Sequence, residues 1–245
     1  MLCKGVKIMS TFGFISVFAV SAMLVNALGI YAIYRNRMWA EKNKEYFMCF
    51  AAGILITSPL IGAFPEAISK NSEAGFFALV GFLFMFATSQ IMRKSTKKSA
   101  LAFGYTALIG IGIHSFVDGM IYSVTFTQSS LLGILAGTGL VAHEFAEGVI
   151  TYAFLTEGGL SEKKAILYAF LVASLTTPLG AFLIYPLLRD FTSSVMGLLL
   201  GFVTGVLIYI SAAHLLPEAS EHEKGHSYLS FLTGVAFSIL LYFIK

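Results

Sequence analysis

The chain has 245 residues, 57% of them hydrophobic and only 12% charged, with a net charge of +3 at pH 7 and a mean hydropathy of +0.83. That balance excludes an ordinary soluble domain and implies no nucleic-acid partner; it is the composition of an all-α polytopic membrane protein. Cys3 and Cys49 lack CxxC spacing and mark neither a redox site nor a thiolate metal site.

A membrane-crossing helix needs roughly 20 mostly apolar residues. Eight stretches qualify: 8–34, 46–68, 75–92, 101–127, 131–156, 165–188, 195–218 and 227–244. Almost nothing remains outside them, so residues 1–245 are expected to form a single transmembrane domain. The first stretch starts with Lys4 and Lys7 like a signal peptide, but it runs to Tyr34 without a small-x-small cleavage site and reads as retained. The connections after stretches one, three, five and seven carry Arg35, Arg37, Lys42, Lys44, Arg93, Lys94, Lys97, Lys98, Lys163, Lys164 and Lys224. The opposite side has only Lys4, Lys7, Lys70, Arg189 and Lys245. By the positive-inside rule the first group is cytoplasmic and both termini lie outside the cytoplasm.

Stretches two and seven resemble each other. Gly53-x-Leu55-Ile56 leading to Pro65-Glu66-Ala67 recurs without a gap as Gly205-x-Leu207-Ile208 leading to Pro217-Glu218-Ala219. Because the two run in opposite directions, stretches one to three and six to eight read as inverted repeats, a transporter design with its substrate near mid-membrane.

The fourth and fifth stretches contain His114-x-x-x-Asp118-Gly119 and His143-Glu144-x-x-Glu147-Gly148. A carboxylate at bilayer depth costs about 2.5–3.5 kcal/mol on insertion scales, so each of these groups needs a partner, a cavity or an ion. A separation of four puts His114 with Asp118, and His143 with Glu147, on one helix face, while Glu144 points away from His143 by about 100°. A hairpin tip near residue 130 pairs His114 with Glu147 and Asp118 with His143, about 18–24 Å below the tip. Two imidazoles and two carboxylates at one level suit a borderline divalent ion such as Zn²⁺, Fe²⁺, Co²⁺ or Mn²⁺.

At these residues the chain resembles the ZIP (Zrt-, Irt-like protein) family of divalent metal transporters. The resemblance extends to Ala213-His214-Leu215-Leu216-Pro217-Glu218 and covers essentially the whole chain. It implies eight helices in a 3+2+3 arrangement, with the inverted repeats around a central pair formed by helices four and five. It also implies transport of a divalent transition metal toward the cytoplasm: zinc first, with iron, manganese, cobalt or cadmium as further cargo. No cofactor is implied. The partners implied are the ion and the lipid bilayer, and a homodimer stays open.

The family's principal site maps to His114, Asp118, His143 and Glu147, and a second site to Glu144. Ser115 stands where many members have Asn, and Thr177-Pro178 stands where some have Glu-Pro. The second site thereby loses two usual ligands and keeps Glu144 with a shared Glu147, so one strong site with a weak neighbour is expected. His214 and Glu218 mark an exit path, with His222 and His226 following at intervals of four. Val117 and Ala146 replace the family's helix-kinking prolines, and a break at Gly119 and Gly148 is the expected substitute. The alternative is an intramembrane zinc-dependent metallohydrolase, because His143-Glu144-x-x-Glu147 is one residue short of the HExxH arrangement.

Overall fold

The computed structural model describes residues 9–95, 100–217 and 227–243, and its regular elements are all helical. Among the described residues the helices in chain order are α1 (Thr11–Arg35), α2 (Arg37–Lys70), α3 (Ala74–Ser95), α4 (Ala100–Gln128), α5 (Ser130–Glu157), α6 (Glu162–Leu187), α7 (Ser193–Tyr209, prolonged by a π-helical turn over Ile210–Leu215) and α8 (Ser227–Phe243). Among the described residues four segments are long and apolar enough to cross a membrane: Thr11–Arg35, Arg37–Lys70, Glu162–Leu187 and Ser193–Ala213. The protein is therefore a multi-pass membrane protein.

The charged stretch Arg37–Glu45, expected as a loop, is helical. Asn36 alone makes the corner. Its N–H closes α1 on the Ala32 carbonyl at 2.8 Å, and its side chain accepts from the Trp39 N–H at 3.1 Å to start α2. At the far end of α5 the chain reverses through Gly159, whose φ of +84° suits glycine. There the Leu160 N–H bonds the Leu155 carbonyl at 3.0 Å, closing the helix end as a Schellman turn does.

Three π-helical turns, Pro59–Ala63, Phe170–Ser174 and Ile210–Leu215, interrupt α2, α6 and the end of α7. A proline ring clashes with the carbonyl four residues earlier. Pro65, Pro178 and Pro217 each have that earlier residue (Ile61, Ser174 and Ala213) inside one of these turns, where the wider helix makes room. α2 and α6 thus stay continuous past Pro65 and Pro178, and α7 stays helical up to Pro217. No such break occurs in α4 or α5: both run unbroken through Gly119 and Gly148, contrary to the expected break at these glycines.

The glycines serve another purpose, close approach. Gly29 of α1 lies on the Phe145 carbonyl and Gly148 of α5 on the Asn26 carbonyl. Gly180 of α6 and Gly119 of α4 exchange the same contact with Phe116 and Thr177. Gly53 of α2 and Gly234 of α8 do so with Phe231 and Phe50, and Gly81 of α3 and Gly205 of α7 with Phe202 and Ala78. A Cβ at any of these eight positions would collide with the named carbonyl oxygen. The contacts come in matched sets: those of α1, α2 and α3 recur in α6, α7 and α8 about 150 residues later in the chain.

The central α4–α5 hairpin turns at Ser129, whose hydroxyl caps α5 by accepting from the Leu132 N–H at 3.0 Å. α1 packs on α5 and α6 on α4, while α2 packs on α8 and also reaches α5. On the opposite flank, α3 and α7 stand off from α4 and α6 across an apolar groove of about 930 Å³ lined by Phe77, Phe84, Ile113, Met120 and Phe202.

Gly29→Ala is expected to lower stability by about 1–3 kcal/mol, the usual range for overpacking. Gly75→Ala, whose Cβ would meet nothing nearer than a Phe64 ring atom at 3.9 Å, should leave it unchanged. Thermal unfolding of the two variants in detergent compares them directly.

Candidate metal centre

The two central helices each present one face to the other. α4 contributes His114, Ser115 and Asp118, and α5 contributes His143, Glu144 and Glu147. Antiparallel pairing about Ser129 brings the faces to one level, and Gly119 and Gly148 let α6 and α1 back them closely. One ligand atom from each of His114, Asp118, His143 and Glu147 lies within 4.8 Å of every other.

The separations inside this quartet are informative. His143 Nε2 is 3.3 Å from Asp118 Oδ2 and 3.5 Å from Glu147 Oε2. His114 Nε2 is 3.5 Å from Asp118 Oδ2 and 3.4 Å from His143 Nε2. Four donors held about 2.1 Å from a tetrahedral Zn²⁺ stand about 3.4 Å apart along the edges. Four of the six edges are therefore already at the length a bound ion requires.

The hydrogen bonding points the same way. His143 Nδ1 sits 2.6 Å from the Leu140 carbonyl. A carbonyl only accepts, so Nδ1 carries a proton, and when the ring ligates an ion its Nε2 turns a lone pair into the quartet. Both Asp118 oxygens and Glu147 Oε2 are buried without a hydrogen-bond donor among the described residues. Buried carboxylate oxygens without donors are costly, and a divalent cation between them removes that cost. Ser115 Oγ is 2.8 Å from Glu147 Oε1 and 3.0 Å from the Ile111 carbonyl, so it orients the Glu147 ligand.

Glu144 lies apart from this convergence. It is fully buried, and both its oxygens accept hydrogen bonds: Oε2 from Asn26 Nδ2 at 2.7 Å and Oε1 from Thr177 Oγ1 at 3.1 Å. The residues expected at a second site are thus divided, Ser115 serving Glu147 and Thr177 serving Glu144. His214 belongs to the π-helical turn Ile210–Leu215, but its side chain lies outside the described residues, as do all of Glu218, His222 and His226. Asn26 escaped the sequence reading. Its signal was a lone amide inside the 25-residue apolar helix α1.

A cavity of about 60 Å³ adjoins the quartet. Beyond His114, His143 and Glu147 its walls include Thr88, Thr151 and Leu215, toward the end of the bundle where α3, α5 and α7 finish. The other end is packed shut by aromatic rings: Phe14 stacks on Phe126 at 5.6 Å, and Phe18 meets Phe126 at 5.0 Å and Tyr122 at 6.3 Å between ring centres.

Comparison with known proteins points to zinc transporters. The family model described as ZIP Zinc transporter matches residues 94–242. The chain is similar to the zinc transporter ZupT of Chlorobium chlorochromatii, 32% identical over 154 residues, covering 61% of this chain and 57% of that protein. It is also similar to ZupT of Chlorobaculum parvum, at 28% identity over 226 residues, and of Streptococcus mutans, at 27% over 227 residues. Each of these two alignments covers 79% of this chain and 84% of the relative.

Replacing a quartet ligand and replacing the serine that orients one should differ in size. His143→Ala is expected to weaken zinc binding by more than about 100-fold, and Ser115→Ala by about 10-fold. Competition against a chelating dye on purified protein measures both, and equal losses would contradict the separation of roles.

Proposed function

The chain belongs to the ZIP zinc transporter family, and we propose that it carries a divalent transition-metal ion, zinc foremost, across the membrane toward the cytoplasm through His114, Asp118, His143 and Glu147. The observation that carries this reading is the spacing of 3.3–3.5 Å among buried donors at the ends of two imidazoles and two carboxylates. Iron, manganese, cobalt and cadmium are further cargo for the same N/O set, whose nitrogen donors disfavour Mg²⁺ and Ca²⁺.

In this reading residues 1–245 form one transporter domain of eight membrane helices in a 3+2+3 order, with α1–α3 and α6–α8 as inverted repeats about α4 and α5. The recurring glycine–carbonyl contacts support it. So do the π-helical turns Pro59–Ala63 and Ile210–Leu215, which sit before the repeated prolines Pro65 and Pro217. Both termini lie outside the cytoplasm, so the cavity beside Thr151 faces inward and the aromatic plug of Phe14, Phe18 and Phe126 faces outward. An ion arriving when the plug loosens sheds water into the quartet, the repeats rock against each other, and water from the inner cavity replaces the ligands.

The metallohydrolase alternative is not favoured. A hydrolytic zinc keeps one position open for water or substrate, whereas here four side chains that could each supply a ligand converge on one point. The family consists of transporters, and the chain is not an enzyme.

Reconstituted protein should take up radiolabelled Zn²⁺ into liposomes, and Glu147→Ala should reduce that flux to background while Mg²⁺ and Ca²⁺ fail to move. Zinc binding without flux, accompanied by metal-dependent peptide cleavage, would replace this reading with the hydrolase.

A further inference from the structure

Three carboxylates are buried at the centre, and they divide into two kinds. Asp118 and Glu147 keep oxygens without donors; Glu144 keeps none. The difference originates in α1. Asn26 is fully buried, and its Oδ1 accepts from Ser174 Oγ at 2.8 Å. The Glu144 carboxylate only accepts, so the amide end 2.7 Å from it is Nδ2, and Oδ1 is left for the Ser174 hydroxyl, which could have served either end. Thr177 completes the arrangement from α6 at 3.1 Å. A bond network through Asn26, Glu144, Ser174 and Thr177 thus ties α1, α5 and α6 together next to the quartet.

We propose that Asn26 and Thr177 hold the Glu144 carboxylate as a strut outside the coordination sphere, so that the centre takes a single ion. This deepens the transport reading and rests on it. A second ion beside the quartet would need ligands of its own, and each candidate side chain is already turned toward another partner. Both Glu144 oxygens point at donors, the Thr177 hydroxyl is spent on Glu144, and Ser115, the residue of α4 that corresponds to Glu144 of α5, supports Glu147. A serine and a threonine hydroxyl are also weak ligands for a transition metal compared with carboxylate or imidazole.

Asn26 is on this account a positioning residue. Its side chain sets Glu144, and its backbone carbonyl bears on Gly148, next to the Glu147 ligand. One residue of α1 therefore fixes both the distance of α1 from α5 and the rotation of α5 that aims His143 and Glu147.

The test is zinc stoichiometry on the purified full-length protein, read by calorimetry and by metal analysis after gel filtration. Wild type and Glu144→Gln are expected to hold one ion per chain. Asn26→Ala frees a Glu144 oxygen one residue from the His143 ligand and should raise the count to two; Thr177→Val, which frees the other oxygen with little change of volume, serves if Asn26→Ala does not fold. A purely structural strut would lower the melting temperature of these variants and leave the count at one, and that result overturns the proposal. Two ions in wild type falling to one in Glu144→Gln overturns it as well, while leaving the transport reading intact. Wild type that binds no zinc overturns both.

Discussion

The structure is organised around charge that the bilayer does not tolerate. Asp118 and His143 are almost completely buried, and Glu147 and His114 are nearly so. Three carboxylate oxygens there have no hydrogen-bond donor among the described residues. Each carboxylate alone would cost several kcal/mol at this depth. The hydrogen bonds at the margin of the quartet orient ligands without neutralising them: Leu140 fixes the proton of His143, and Ser115 holds one oxygen of Glu147. A divalent cation would satisfy both carboxylates and both imidazole lone pairs together, and on the proposed transport reading the polar residues are tolerated because the cargo is part of their balance.

Holding four such groups to within a few tenths of an ångström requires rigid helices at short range, and the glycines provide it. Lipid offers no hydrophobic drive for helix association, so close backbone approach and dispersion must do the joining. Gly119 and Gly148 stand directly after Asp118 and Glu147, and each bears on a carbonyl of the helix behind it, Thr177 of α6 and Asn26 of α1. The residues that supply those carbonyls also supply the side chains that bond Glu144. Backbone packing and side-chain positioning thus meet at the same two residues, one on α1 and one on α6.

Much of this was legible in the sequence because the membrane makes polar residues conspicuous. His114, Asp118, His143 and Glu147 stood out by spacing and cost, and the structure assembles those four at one level. The extent of α2 was not legible: the charges from Arg37 to Glu45 resemble a loop, and only the double bonding of Asn36 reveals a corner of one residue. The π-helical turns were hidden too, since a proline in an apolar stretch suggests a kink without saying that the helix widens around it. Glu144 was grouped with metal ligands by sequence, yet its partners are 118 and 33 residues away, and no local pattern announces contacts at that range.

The two ends of the centre are unequal, and this follows from side-chain size along α4, α5 and α1. Moving from Asp118 toward the α4–α5 turn, the next turns of α4 present Tyr122 and Phe126, which close on Phe14 and Phe18 of α1. Moving the other way from Glu147, α5 presents Thr151, which lines the cavity and whose hydroxyl is buried without a partner among the described residues. An ion leaving the quartet must exchange protein ligands for water, and water reaches it where oxygen-bearing walls and open volume exist. The cavity at the Thr151 side has both, while on the ring-packed side the Tyr122 hydroxyl is buried among packed rings. The same four ligands therefore face a wet exit and a dry barrier in this conformation. Transport in one cycle requires these two conditions to exchange places, and the repeated, similarly packed helices on either side of the centre supply two comparable arrangements between which they can do so.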